Sequence, residues 1–155
     1  MPPLLAPHRF DLDHAGCDEE KDFRLANRLR KSFEYGTWGG EIRREFEPQP
    51  GEIVAQEHWG SSGFANTDLD LQLKKHRIHQ LIVIELIAHT CVEATVCYGA
   101  ELGYEVTMVK DATASYSDEE MHAALDINIP SYASAIVTTK EMSSRCLLSK
   151  HGSEP

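Results

Sequence analysis

Leu81-Ile82-Val83-Ile84-Glu85-Leu86-Ile87-Ala88-His89-Thr90-Cys91-Val92-Glu93-Ala94 is the stretch on which the reading of this 155-residue chain turns. Leu81–Ile84 is an unbroken apolar run bounded by polar residues, the pattern of a strand covered on both faces. Thr90-Cys91-Val92-Glu93 then spells a capping box, in which the Thr90 hydroxyl takes an orphan amide and Glu93 reaches back. With Thr90 as the N-cap, Cys91 stands at the first helical position, under the positive end of the helix dipole. That placement favours thiolate over thiol, and the thiolate is the nucleophile. The same unpaired amides can hold an oxyanion. The expectation is a nucleophilic cysteine at a strand-to-helix junction.

Downstream, Gly103 supplies a helix stop and Tyr104–Val109 alternates as a strand. Ser117-Asp118-Glu119-Glu120 opens a further helix by the capping-box rule, with Met121, Ala124 and Leu125 as its apolar face. Its acidic start reads as a solvated face. Ser134–Thr138 reads as the last strand, and a short helix follows near Lys140–Leu147. Upstream, residues 1–16 carry three prolines and read as irregular. Phe23, Ala26, Leu29 and Phe33 recur at helical intervals, so a surface helix is expected over Asp18–Phe33. Tyr35–Gly51 is a loop rich in glycine, proline and glutamate. Ile53–Gln56 is a short strand candidate, and Thr67-Asp68 starts a helix with Leu69, Leu73 and Ile78 on its apolar side. Nothing before Ile53 reads as a strand. Strands alternating with helices imply βαβ units, hence a three-layer α/β fold with a mostly parallel sheet flanked by helices.

A hydrophobic fraction of 41% and this length suit one domain over 1–155. The formal net charge of -10 disfavours binding to phosphate backbones, so no nucleic-acid partner is expected. The longest apolar runs are of strand length, which predicts no membrane span, and the N-terminus shows no signal peptide. Cys17, Cys91, Cys97 and Cys146 lack CxxC spacing. That suits reduced thiols in a cytoplasmic protein, with no metal and no cofactor.

Four phrases, in this order, resemble the isochorismatase-like cysteine hydrolase family. They are Phe33-Glu34-Tyr35-Gly36-Thr37-Trp38-Gly39-Gly40-Glu41, Ser62-Gly63-Phe64-Ala65-Asn66-Thr67-Asp68-Leu69, and Ala88-His89-Thr90-Cys91-Val92-Glu93-Ala94-Thr95. The fourth is Leu102-Gly103-Tyr104-Glu105-Val106 leading to Lys110-Asp111-Ala112-Thr113-Ala114. The likeness is strongest over 33–140. It implies a Rossmann-like α/β fold and hydrolysis of a small amide or ureide, with Cys91 attacking the carbonyl. It also implies a cis peptide between Leu86 and Ile87, and an oxyanion hole made by the amides of Ile87 and Cys91.

The chain departs from the family pattern at three places. The family's Asp closes a first strand near the N-terminus, whereas here Leu4-Leu5 is short and Asp11 and Asp13 follow no strand. The chain is therefore expected to lack the first strand or strands, leaving sheet edges exposed to self-association. The resemblance implies that an Asp and a Lys act with Cys91 as a triad. The lysine position, at the end of the Ile53 strand, falls on Gln56, and Glu85 stands where a glycine is expected. The alternative reading is a degenerate member with a binding or structural role only. Trp38, His58, Trp59, Phe64, Glu85 and His89 are candidates to line a substrate pocket. His89 is expected to line it or face outward rather than pair with Cys91, and Asp111 reads as a turn residue.

Overall fold

Short apolar runs set between capping residues build the chain into alternating strands and helices. The computed structural model describes residues 4–5, 36–55 and 61–151, the side chains of 4–5 and 146–151 excepted. The helix expected over Asp18–Phe33 lies outside the described residues. So do Gln56, His58 and Trp59. The chain forms two compact units, Met1–His76 and Arg77–Pro155.

In the first unit, β1 (Leu4–Leu5) pairs in parallel with β2 (Ile53–Val54), Leu4 opposite Ile53 and Leu5 opposite Val54. A strand thus stands where none was expected. Two residues among prolines carry no alternation to read, and the distant partner defines the strand. Ile53 and Ala55 are buried, as is Phe64. The Thr67 hydroxyl donates to the Gly63 carbonyl at 2.7 Å and accepts the Leu69 amide at 3.2 Å, which starts α1 (Leu69–Lys75). Leu69 and Leu73 form its buried face. The helix closes at His76, and Arg77 turns with a φ of 56°, so Ile78 leaves the helical face.

The second unit begins with β3 (Gln80–Val83). A π-helical turn over Ala88–Val92 runs into α2 (Glu93–Glu101). Gly103 ends that helix as the sequence predicts. Its φ is 91°, its amide donates to the Ala100 carbonyl, and the Tyr104 amide donates to Gly99, both at 3.0 Å. These two bonds make a Schellman motif, which needs a left-handed residue at the glycine. β4 (Glu105–Val109) follows, then α3 (Asp118–His122) with a π-helical continuation to Asn128. β5 (Ala135–Val137) and α4 (Thr139–His151) complete the unit.

The sheet is parallel in the order β3-β4-β5, with Leu81 opposite Val106 and Met108 opposite Ile136. Parallel neighbours require crossovers, which the helices supply. Val92, Val96, Val106, Met108 and Ile129 are fully buried and form the core. The expectation that Leu81–Ile84 is covered on both faces is wrong. Leu81 is 9% exposed, while Ile82, Ile84 and Leu86 are 45%, 60% and 62% exposed. Alternate residues of a strand face opposite sides, and among the described strands of this sheet β3 is terminal.

The start of α4 is held from two directions. Glu141 accepts the Thr138 amide at 2.7 Å while its own amide donates to the Thr138 hydroxyl at 3.3 Å. This reciprocal capping box escaped the sequence reading. Asp111 accepts the Thr139 amide at 2.7 Å and its hydroxyl at 2.9 Å. Asp111 is thus a structural turn residue, as expected. The Thr139 amide holds its carboxyl below the ordinary value of 3.8.

Replacing Met108 with Ala empties space in the core and is expected to cost about 2–5 kcal/mol of stability in denaturant titrations. A depressed folded-state pKa contributes stability that is present above the unfolded value and lost as pH falls through the folded one. The stability of Asp111→Asn should therefore fall less steeply than that of the parent below pH 3.8. Thermal melts across the acid range check this.

Candidate active site

The site is built on the turn between β3 and α2. The Leu86–Ile87 peptide is cis, the bond that the family resemblance implies. The chain then enters the π-helical turn with Ile87 as its N-cap. The expected Thr90 cap is not formed, because the helix begins three residues earlier, at Ala88. Thr90 lies inside the turn, and its hydroxyl points back toward the Ile87 carbonyl at 3.5 Å and the Cys91 sulfur at 3.6 Å. Glu93 reaches across to Asn128, whose amide donates to it at 3.1 Å.

Cys91 therefore stands within the first helical turn rather than at its first residue. The Ile87 carbonyl accepts the amides of Thr90 at 3.2 Å and Val92 at 3.3 Å, and passes over that of Cys91. The wide π-helical turn causes this skip, since it bonds each carbonyl to an amide five residues on. The thiol is free and half-buried, next to the positive end of a helix dipole. Such a group can act as a nucleophile.

The turn is tied to the segment that follows β4. Leu86 forms a parallel bridge with Ala114, and the Ala88 amide donates to the Ala114 carbonyl at 2.9 Å. His89 Nδ1 lies 2.6 Å from the Ser115 hydroxyl. That hydroxyl donates to Glu120 at 2.9 Å, and Glu120 also accepts the Tyr116 amide at 2.9 Å. His89 Nδ1 is 3.4 Å from the same carboxylate oxygen, and the Tyr116 ring meets the imidazole edge-on at 6.3 Å. Imidazole, hydroxyl and carboxylate thus share one compact cluster.

His89 belongs to the turn but faces Ser115, consistent with the expectation that it does not pair with Cys91. Glu85 is half-buried and engaged. In the first unit, Trp38 is 91% exposed while Phe64 is packed inside, so Phe64 anchors its loop. Cys97 is half-buried beside Tyr132, whose hydroxyl it holds above the ordinary range by hydrogen bonding. An open groove of about 520 Å³ beside α3 is lined by Lys110, Met121, His122, Asp126 and Ile136 and does not include Cys91.

Ser115 and Glu120 were missed. Glu120 was read as part of a solvated helix start, and half of that holds: its amide donates to Ser117 at 3.3 Å, capping α3. Its carboxylate instead turns back to Ser115 and Tyr116. The hint lay in the Ser117-x-x-Glu120 spacing, since a capping-box glutamate reaches toward the residues before the helix.

A parallel α/β sheet with a half-buried cysteine in the first helical turn after a strand defines a class of α/β proteins with a thiol site. The chain matches the isochorismatase domain model over residues 4–141, and it belongs to the isochorismatase family. It is 34% identical over 106 residues to the ureidoacrylate amidohydrolase RutB of Caulobacter segnis, covering 68% of this chain and 44% of that protein. The chain spans about half the length of the curated relatives it matches, or less. An isochorismatase-like hydrolase from Alkaliphilus metalliredigens superposes with a TM-score of 0.65 at 29% identity, covering 70% of this chain and 59% of that one. The nicotinamidase/pyrazinamidase of Bacillus subtilis shares the fold, with a TM-score of 0.70 at 24% identity over 86% of this chain and 73% of that one.

The two serine/threonine positions read as caps can be told apart by mutation. Ser117→Ala is expected to cost about 1 kcal/mol, the value of a lost N-cap. Thr90→Val should cost under ~0.5 kcal/mol, because no cap is removed. Urea titrations of both variants check the difference.

Proposed function

We propose that this protein is a cysteine hydrolase acting on a small C–N substrate, an amide or ureide. The observation that carries the reading is the free Cys91 thiol in a helical turn where the Ile87 carbonyl takes the Thr90 and Val92 amides and leaves that of Cys91 aside. The relationship to an amidohydrolase supports the substrate class. In this reading the Cys91 sulfur forms a bond to the carbonyl carbon, and the displaced electron pair moves onto oxygen. The amides of Ile87 and Cys91 hold that oxyanion. Collapse breaks the C–N bond, and the nitrogen leaves with the thiol's proton. Water then cleaves the thioester left by an amide, or the thiocarbamate left by a ureide, releasing the carboxylic or carbamic acid and restoring the thiol. Free thiols suit a reducing compartment, and we place the protein in the cytoplasm.

The competing reading is a family member that binds such a molecule without turning it over. Gln56, at the position where the family resemblance puts a lysine, favours it: an amide cannot supply a fixed ammonium. Two measurements separate the readings. At about pH 6.5, iodoacetamide should modify Cys91 roughly tenfold faster than Cys17, as judged by peptide mass spectrometry. Equal rates remove the nucleophile altogether. A panel of amides and ureides then decides turnover, which Cys91→Ala should abolish. Rapid labelling with no hydrolysis of any member leaves the binding role.

A further inference from the structure

The turn carrying Cys91 has no side-chain cap of its own, yet it is pinned from outside. We propose that His89, Ser115 and Glu120 form a hydrogen-bonded latch that positions the Cys91 turn, with His89 as the positioning residue held in its Nδ1-protonated form. The proposal rests on Cys91 being the nucleophile.

Proton counting sets the direction of the latch. A carboxylate only accepts, and a serine hydroxyl has one proton to give. Two oxygens 2.9 Å apart with no proton between them repel, so the Ser115 proton lies toward Glu120. Ser115 Oγ must then accept from His89, at 2.6 Å. The ring proton therefore sits on Nδ1, and in the neutral imidazole Nε2 keeps the lone pair. Glu120 is itself fixed, since it accepts the Tyr116 amide and its backbone is bonded to Ser117. The chain of bonds thus runs from a capped helix to the residue two before Cys91.

Geometry makes the latch a positioning device rather than a partner of the sulfur. Side chains two apart on a helical turn do not face each other, so the His89 ring can be tied outward while the Cys91 sulfur stays free. The backbone ties at Leu86 and Ala88 hold the start of the turn. His89 extends that hold by one more residue toward Cys91. Without it, the residues just before the cysteine are held by those backbone ties alone, while Asn128 holds Glu93 beyond it.

Two experiments decide this. In the wild-type protein, long-range ¹H–¹⁵N correlation of the His89 ring at neutral pH should show the proton on Nδ1, and a ring protonated on Nε2 alone overturns the latch. Cys91-specific alkylation should slow roughly fivefold in Ser115→Ala and Glu120→Ala, as expected when a linked contact is cut. Ser115→Thr, which keeps the hydroxyl, and Glu120→Gln, which keeps an acceptor, should recover most of the rate. Unchanged or faster alkylation in the alanine variants, or no recovery in the conservative ones, overturns the positioning role. If wild-type Cys91 reacts no faster than Cys17, the nucleophile fails instead, and the ring tautomer alone judges the latch.

Discussion

The parallel pairing of β3 with β4 is the constraint on which the second unit depends. Its register sets Leu81 against Val106 and Val83 against Met108, and so brings the two strand ends out side by side. Leu86 then meets Ala114, and everything chemical follows from that meeting. The Cys91 turn and the Ser115 segment are far apart in sequence and become neighbours because two strands keep step. A slip of one residue would reverse every side chain of β3 and part the pair.

Burial reinforces this register unevenly. Val106 and Met108 on one face and Val109 on the other are buried, so β4 is fixed from both sides. β3 is fixed on the Leu81 face only. The site thus hangs between one firmly held strand and one held by half, and the hydrogen bonds between their extensions supply the remaining definition.

Much of the fold was legible, because its signals are local. Gly103 announces a left-handed turn, and Ser117 with Glu120 announces a helix start, whatever surrounds them. The cysteine's place between strand and helix was legible for the same reason. What failed needed long-range knowledge. Thr90 has the right neighbours for a cap, but the backbone begins its helix at Ala88 because of how Ile87 enters, which no short motif records. Leu4–Leu5 is a strand only by virtue of Ile53–Val54. Ile82 and Ile84 are apolar yet exposed, since hydropathy does not say which strand stands at the end of a sheet. Glu120 looked like surface, and Ser115 carried no signal, because their partner, His89, lies twenty-six residues upstream of Ser115.

The double engagement of Glu120 carries one more consequence. Its main chain belongs to the first turn of α3, and its side chain belongs to the cluster around His89. Fraying at that helix end cannot stay private: any excursion that frees the Glu120 amide from Ser117 also loosens the carboxylate. Opening of a peripheral helix and slackening near the thiol are therefore one cooperative event, and whatever firms up the helix end quietens the thiol's surroundings with it.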